Sequence, residues 1–305
     1  MLFRQLEYFV ALARERHFAR AASACFVSQP ALSEAVRKLE HELGVPLVRR
    51  GSSFEGLTPE GDRLVLWARR ILADRAALEQ EVTALRTGLT GDLRFGVIPA
   101  AAASTALLVD SFCVEHPLVD FRIESGLASA EIIDRIRRFE LDAGLVYSDG
   151  VDTDGLAVSA LYEDRYVLVA STDLLPDTGR IDWSDVALLP LCLLRKGMRG
   201  RNRVDEVAQE SEVVLSPRIE ADSVATLLAL VGTGRWASVV PASWFVATSP
   251  PPGTRVVELD GDALRGTVAL VRNAGEPASV LAQALEDTAR TGVYAARSHR
   301  RPAQG

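Results

Sequence analysis

Hydrophobic positions recur at helical spacing through much of the first 58 residues, which end in a short strand pattern. The spacing then continues through residues 59–87 as one long helix, which Gly88 and Gly91 end. From Leu93 onward, short apolar strands alternate with amphipathic helices, which is typical of an α/β fold. The pattern therefore predicts a helical head, a long connecting helix and an α/β region.

Seven strands and five helices are predicted in the α/β region. The strands are Leu93–Ile98, Phe121–Ser125, Ala143–Tyr147, Tyr166–Ala170, Leu191–Leu194, Ala237–Val240 and Thr267–Val271. The helices lie near 100–115, 129–139, 201–210, 222–232 and 278–291. The polar, basic tail 295–305 is expected to be disordered.

Residues 18–43 predict two helices joined by a turn. The first runs from Phe18 to Ala24, and its small alanines allow a second helix to cross closely over it. Ser28 can cap the second helix with its side-chain oxygen, and Pro30 suits the first turn, where a missing N–H costs nothing. This second helix is expected to run to about Leu43 and to stop at Gly44.

The second helix has two chemically different faces. Leu32, Val36, Leu39 and Leu43 form the stripe expected to be buried. The opposite face carries the polar residues Gln29, Ser33, Glu34, Arg37 and Lys38. Such a face could read DNA, with its first side chains on base edges and its cations on phosphates. The alternative is a plain helical hairpin with a solvated polar face.

A candidate wing follows that helix. Two short strands, around Val48 and Phe54–Thr58, flank a bend that carries Arg49 and Arg50. These cations suit a position beside the minor groove. The ordered combination of caps, turn, wing and following helix favours a winged helix-turn-helix over the plain hairpin.

The long helix carries a heptad pattern. Leu64, Ile71, Leu78 and Leu85 fall seven apart, and Ala68, Arg75 and Val82 lie four further on. Thr58 is its expected cap, with Pro59 at its first position. Three heptads favour a partner helix, which predicts a dimer seam of Leu64, Ile71, Leu78, Val82 and Leu85. The alternative is packing on the helix's own domain.

The charge of the chain divides unevenly. Its net charge is −7, but residues 1–88 carry 13 Lys and Arg against 11 Asp and Glu, a net of +2, and the rest carry −9. A mildly basic head is compatible with DNA binding. The charged start and the lack of a long apolar run predict a cytoplasmic protein without a membrane segment.

Several motifs resemble the LysR-type transcriptional regulators. They include His17-Phe18-Ala19-Arg20-Ala21-Ala22, Val27-Ser28-Gln29-Pro30-Ala31-Leu32-Ser33, Leu43-Gly44-Val45-Pro46-Leu47 and Gly56-Leu57-Thr58-Pro59-Glu60-Gly61, in family order over the first 61 residues. The resemblance implies DNA contacts from Gln29, Pro30, Ser33 and the next exposed positions, with Ser28 at the helix start. Glu34 departs from the basic or amide residue common in the family; it can accept a hydrogen bond from cytosine N4.

The resemblance also implies a domain organisation. Residues 1–58 would form the winged helix-turn-helix, 59–88 the dimerisation helix and 89–294 an effector domain like the periplasmic binding proteins. Lobe I would hold 92–162 and 267–294, and lobe II 163–266, with crossings near Tyr162–Arg165 and Gly261–Gly266. The family further implies pairing of DNA heads, dimers that often pair again into tetramers, and RNA polymerase as a candidate partner.

Effector residues follow from where strands end. In open α/β sheets, ligands bind beyond the carboxyl ends of strands, where helix N-termini favour anions. On lobe I these positions are Pro99, Ala100, Ser125 and Ser129, and on lobe II Arg195, Met198 and Arg199 bring cations. A small anionic effector between the lobes is predicted. The alternative is that the cationic segment is a solvated loop or a subunit contact.

Three other classes are weaker interpretations. Four scattered histidines and the lack of a catalytic motif give no support for an enzyme, and no cofactor or metal is predicted. A solute-binding transport protein is opposed by the N-terminal head. A thiol-based peroxide sensor would need two redox-coupled cysteines, and its candidates Cys113 and Cys192 each lie in an apolar run that indicates core.

Overall fold

A computed structural model describes residues 1–50, 54–175, 179–260 and 265–291. Contacts divide the chain into two units. One holds Met1–Gly88 and Arg137–Glu140, and the other holds Leu89–Ile136 and Leu141–Gly305. Every helix in the described part of the chain is either too short or too polar to span a lipid bilayer.

The first unit is a three-helix head, a two-stranded wing and a long helix. Its elements are α1 (Phe3–Glu15), α2 (Phe18–Ala24), α3 (Gln29–Leu43), β1 (Val48–Arg50), β2 (Phe54–Leu57) and α4 (Pro59–Thr87). The bounds of α2, α3 and α4 and the antiparallel wing agree with the sequence predictions. The tip of the wing, 51–53, lies outside the described residues.

Local capping explains where these helices begin. The Ser28 hydroxyl accepts a hydrogen bond from the Ala31 amide at 3.3 Å, and Thr58 Oγ1 accepts one from the Gly61 amide at 2.9 Å. A cap of this kind contributes about 1 kcal/mol. Gly61 must be glycine, because a Cβ there would lie 2.1 Å from the Leu47 carbonyl oxygen.

The head has its own hydrophobic core. Phe9, Leu12, Leu32 and Leu39 are fully buried, and each such side chain contributes about 1.5–3 kcal/mol. The predicted stripe of α3 is correct except at Leu43, which is 39% exposed. Leu43 is the last residue of α3, and the chain turns away at Gly44, whose φ is 72°.

The second unit is mixed α/β. Its strands are β3 (Gly91–Val97), β4 (Val119–Ser125), β5 (Ala143–Tyr147), β6 (Leu156–Ser171), β7 (Arg180–Ile181), β8 (Cys192–Leu194), β9 (Ile219–Ala221), β10 (Ala237–Pro241), β11 (Thr254–Leu259) and β12 (Arg265–Asn273). Its helices are α5 (Ala102–Glu115), α6 (Ser129–Arg137), α7 (Trp183–Leu188), α8 (Arg199–Glu210), α9 (Val224–Val231), α10 (Trp244–Ala247) and α11 (Val280–Arg290). The fold class predicted from the sequence is confirmed.

One strand joins two hydrophobic cores. The first part of β6 pairs with β12, from Arg165 back to Leu156, and its second part pairs with β10 and β11, from Tyr166 to Ser171. Lobe I is the core around β3, β5, β12 and α11, and lobe II is the core around the second part of β6, with β8, β10 and α9. The strand order β4-β3-β5-β12-β6-β11-β7 therefore runs through both lobes.

All seven predicted strands and five predicted helices of this unit are present. The sequence pattern did not predict the first ten residues of β6, the whole of β11 or the short elements β7, β9, α7 and α10. β6 is continuous through Tyr162–Arg165, where the first crossing between the lobes is expected. The second expected crossing falls largely on 261–264, which lie outside the described residues, as does the predicted tail.

Candidate functional site

One face of α3 gathers the residues predicted to read DNA. Gln29, Pro30, Glu34, Arg37 and Lys38 are exposed, and Ser33 is half-buried. Arg37 and Glu34 lie 3.7 Å apart as an exposed ion pair one turn apart. Exposed pairs of this kind are worth under about 1 kcal/mol, so either partner can leave the other for a nucleic acid.

The wing holds one of its two arginines in place. Arg49 is exposed, and its Nε donates to the Leu57 carbonyl at 2.8 Å, across the two strands of the wing. The side chain of Arg50 lies outside the described residues, although its backbone pairs with Phe54.

Phe26 is a surface residue that the sequence analysis passed over. It lies in the turn between α2 and α3, where it is 96% exposed and has a φ of +56°. A non-glycine residue rarely adopts this left-handed conformation. The sequence does contain a signal for this exposed residue. A large aromatic side chain stands in a turn of only a few residues, immediately before Val27 and the Ser28 cap, where it cannot be buried in a core.

The predicted seam of α4 divides in two. Leu64 and Ile71 pack against the core of the head. Further along, Leu78, Val82 and Leu85 are 65%, 51% and 83% exposed. Thus the alternative of packing on the helix's own domain holds for the first part of α4, and an uncovered apolar stripe remains on the second.

Arg75 marks the point where α4 leaves the head. Its guanidinium lies over the Phe3 ring, 4.8 Å from the ring centroid. It also donates to Glu7 at 2.9 Å and to Glu79 at 2.8 Å. This polar interruption of the heptad pattern therefore anchors α4 to α1.

The two lobes of the second unit meet at the end of β3. Trp244 Nε1 of lobe II donates to the Pro99 carbonyl at 3.2 Å, and Ser243 Oγ lies 3.5 Å from the Ala100 carbonyl oxygen. Ala100 is 5% exposed. Ala100 is therefore buried in this arrangement, beside Ser243 and Trp244 of lobe II, and its part in binding a ligand stays a prediction.

A buried polar cluster lies beside this contact, which we call the interlobe cluster: Tyr147, Asp164, Tyr166 and Ser243. Asp164 Oδ2 accepts from Ser243 Oγ at 2.8 Å and from Tyr147 Oη at 3.4 Å, and its Oδ1 accepts from the Ser243 amide at 3.2 Å. The Tyr147 and Tyr166 hydroxyls are 3.2 Å apart. All four residues are less than 10% exposed.

Burial is the largest influence on the pKa values of the ionisable groups in this cluster. It raises the pKa of the Asp164 carboxyl to about 6, against the opposing effect of the hydrogen bonds from Ser243 and Tyr147. It also raises the pKa values of Tyr147 and Tyr166 above the ordinary range of a phenol. Sequence reasoning missed the cluster, since its members come from β5, β6 and the segment before α10.

The predicted cations of lobe II have different environments. Arg195 is exposed and Met198 is half-buried against the lobe II core. Arg199 donates to the Asp149 carbonyl of lobe I, and its guanidinium lies 5.9 Å from the centroid of the Tyr147 ring. The neighbouring Arg201 is 1% exposed and pairs with Asp205 and Glu220, both at 2.8 Å, so it serves the fold of lobe II.

The two predicted serines of lobe I are also unlike each other. Ser125 is exposed at the end of β4. Ser129 is buried, and its hydroxyl accepts from the Tyr147 amide at 3.2 Å. Ser129 therefore positions the strand that carries Tyr147, and its hydroxyl is not turned to solvent.

The three cysteines lie in unlike surroundings. Burial raises the pKa of the Cys192 thiol, on β8, to about 11. Burial also raises the pKa values of the half-buried Cys25 and Cys113. Within the described ranges, no group of His, Cys, Asp and Glu could hold a metal ion.

Comparison with known proteins agrees with this geometry. Residues 3–62 match the family described as "Bacterial regulatory helix-turn-helix protein, lysR family", and residues 86–293 match the LysR substrate binding domain. A probable hydrogen peroxide-inducible genes activator of Streptomyces viridosporus is 30% identical over 299 residues, covering 93% of this chain and 94% of that one. The regulator EstR of Acinetobacter baylyi is 30% identical over 239 residues, covering 78% and 79%.

Among solved structures, a full-length OxyR of Pseudomonas aeruginosa with a cysteine replaced by aspartate is similar over 99% of both chains. The TM-score is 0.76 at 27% sequence identity. The whole order of elements, from the head to α11, is thus shared with a full-length regulator.

Proposed function

Because the chain belongs to the LysR family of bacterial transcription regulators, we propose that its α3 reads promoter DNA and that a small anion bound between the lobes controls this binding. The chain is a DNA-binding transcriptional regulator with an effector-binding domain. The observation that supports the proposal most is the exposed polar face of α3, framed by the Ser28 cap and the wing. We assign DNA binding to 1–58, linkage to 59–88 and effector binding to 89–294.

The residues of α3 fall into two groups, those that would contact base edges and those that would contact phosphates. Gln29 and Ser33 lie in the first turns, where amide and hydroxyl groups can bind base edges. Arg37 and Lys38 follow, and with Arg49 and Arg50 of the wing they would bind phosphates. Ser28 and Pro30 set the start of the helix. Glu34 can accept from cytosine N4 once Arg37 turns to a phosphate.

The first prediction concerns base reading. Gln29→Ala with Ser33→Ala should weaken binding to the preferred duplex by about 1–3 kcal/mol and relax the base preference at the contacted positions. Arg37→Ala should weaken binding to all duplexes alike and reduce its salt dependence. Binding selection from random DNA, followed by anisotropy titration at several salt concentrations, measures both effects. An unchanged preference in the double variant would show that another element reads the bases.

We also propose that the exposed stripe of α4 pairs two heads. Leu78, Val82 and Leu85 recur at heptad spacing and are exposed. Leu64 and Ile71 already pack against the core of the head, so in this proposal they continue the same seam at the head end of α4. Apolar side chains at this spacing gain most by packing against a second helix. Two joined heads would bind a site with two half-sites.

The second prediction tests this pairing. Leu78→Asp with Leu85→Asp should place like charges across the seam and convert the oligomer to a smaller species in sedimentation velocity. The head should keep its thermal stability, because neither residue belongs to its core. Ala76→Asp, on an exposed position of α4 away from the stripe, is the matched control. An unaltered oligomer in the double variant would argue against the seam.

The effector proposal depends on the segment before α8. Arg195 is exposed, and Arg199 is the first residue of α8. The cap residue Met198 makes no side-chain hydrogen bond to the amides of the first turn, and that turn contains no acidic residue. Backbone amides and cations together favour a small anion. Ser125 is exposed at the end of β4, and in this proposal Pro99, Ala100 and Ser129 would join the site when the lobes separate.

A redox signal is the competing proposal, since several relatives are named for peroxide induction. A peroxide-sensing cysteine must ionise readily, which requires a lowered pKa and an electropositive, accessible site. All three thiols of this chain have raised pKa values, and Cys192 is fully buried. These properties favour a reversibly bound effector over oxidation of a thiol.

The third prediction tests the anion. In a thermal-shift screen of small carboxylates and inorganic anions, a ligand at 100 times its Kd should stabilise the chain by about 2.7 kcal/mol. Arg195→Gln with Arg199→Gln should abolish that shift. Arg203→Gln, on the same helix and paired with Glu206, should retain it. A shift that survives in the double variant would move the ligand elsewhere.

A further inference from the structure

A carboxylate without a cation lies at the junction of the two lobes. Asp164 is 2% exposed, and within the described part of the chain no Lys, Arg or His forms an ion pair with it. An ionised carboxylate in such a place loses its hydration, and a Coulombic partner would normally offset that cost. At Asp164, hydrogen bonds from neutral groups are what offset the cost of lost hydration.

Those hydrogen bonds connect separate parts of the domain. Asp164 belongs to the crossing strand β6, Tyr147 to β5 of lobe I, and Ser243 to the segment before α10 of lobe II. Ser243 also reaches the Ala100 carbonyl, and its neighbour Trp244 reaches the Pro99 carbonyl. Separation of the lobes at α10 would therefore break the bonds of Ser243 and admit water to Asp164.

We propose that Asp164 is a proton-sensitive latch: its neutral carboxyl stabilises the closed arrangement of the lobes, and its ionised carboxylate favours their separation. A neutral carboxyl can be buried at little cost and can donate its proton to the hydroxyl oxygen of Tyr147 or Ser243. The ionised form gains hydration when the lobes part. The latch goes beyond the proposed function, because it needs no effector.

Of the interlobe cluster, Asp164 is the residue whose charge changes between pH 5 and pH 8. On β6, Glu163 and Arg165 are exposed and pair with Arg265 and Glu258, so they point away from it. Tyr147 of β5 and Tyr166 of β6 have raised pKa values and remain neutral to well above pH 8.

Three more groups complete the surroundings. Tyr162 shares a hydrogen bond with Ser104 of α5 at 2.8 Å. Arg199 of α8 lies over the outer face of Tyr147, and the Asp149 carboxylate accepts from the Thr267 amide at 2.7 Å. An arginine keeps its charge across the physiological range, so Arg199 adds a constant field and no titration.

The sign of the pH effect follows from linkage. The pKa of Asp164 is raised to about 6 in the closed arrangement and returns toward 3.8 when water reaches it. The closed arrangement therefore binds the proton more tightly. Its advantage is complete below about pH 4 and is lost as the pH rises through about 6. The ratio of closed to open forms should fall about tenfold between pH 5 and pH 8.

Hydrogen exchange on the full chain measures that ratio directly. The Ser243 amide donates to Asp164, so its protection factor, corrected for intrinsic exchange, reports opening of the latch. We expect protection at Ser243 to fall about tenfold from pH 5 to pH 8, while the amides of β5 and β12, deep in lobe I, report global unfolding separately.

Three variants separate the latch from a purely structural role. Asp164→Asn should keep Ser243 protected at both pH values, because the side chain cannot ionise. Ser243→Ala should move the midpoint for the rest of α10 to higher pH, since its hydroxyl favours the ionised carboxylate. Glu163→Gln, an exposed neighbour, should leave the profile unchanged.

Either of two results would overturn the latch. One is protection at Ser243 that is independent of pH in the wild-type chain. The other is a pH profile that persists in Asp164→Asn. If Asp164→Asn does not fold, Ser243→Ala decides alone: a midpoint that stays in place or moves to lower pH contradicts the assignment.

Discussion

The regulatory half of this protein depends on one strand that belongs to two cores. β6 contributes Leu168 and Ala170 to the interior of lobe II, while its first part lies against β12 at the edge of lobe I. A continuous hydrogen-bonded strand transmits bending better than a flexible linker would, because its backbone bonds are shared with neighbours on both sides. A change in the angle between the lobes must therefore bend β6 near Tyr162–Tyr166.

Polar chemistry is concentrated at that same point. Asp164 and Tyr166 lie on β6 where it leaves one core for the other, and α8 begins beside them: a Cβ on Gly200 would lie 2.8 Å from the Tyr166 hydroxyl. Buried polar groups are costly unless their hydrogen bonds are made, so these directional contacts help to specify the closed arrangement of the lobes. A few contacts can be exchanged for those of a ligand or of water, which makes the junction suited to switching.

Features that depend on residues close in sequence could be predicted, and contacts between residues distant in sequence could not. Caps such as Ser28 and Thr58 are readable because they act on amides three residues away, and heptads predicted the full length of α4. Asp164 and Ser243 are 79 residues apart, so no periodicity connects them. The first part of β6 was missed because it mixes half-buried residues with exposed ones such as Glu163 and Arg165, and so lacks the apolar run that marks the buried strands.

The seam of α4 shows the same division in one helix. Spacing placed Ile71 and Leu78 in one stripe, but the head covers the first and leaves the second exposed. Sequence spacing gives the face of a helix and does not say which neighbour covers it. Similarly, the ends of strands suggested Pro99, Ala100 and Arg199 as effector residues, but only the packing of the lobes shows that Ala100 is buried and that Arg199 reaches Asp149.

We propose that signals enter through the interlobe junction and not through a thiol. The most direct test measures equilibrium binding to DNA fragments that the protein itself selects from random sequence, with and without hydrogen peroxide. The wild-type chain is compared with a variant in which Cys25, Cys113 and Cys192 are all replaced by alanine. We expect peroxide to leave the affinity and footprint of both proteins unchanged. A peroxide-induced change in the wild-type chain that disappears in the cysteine-free variant would contradict it.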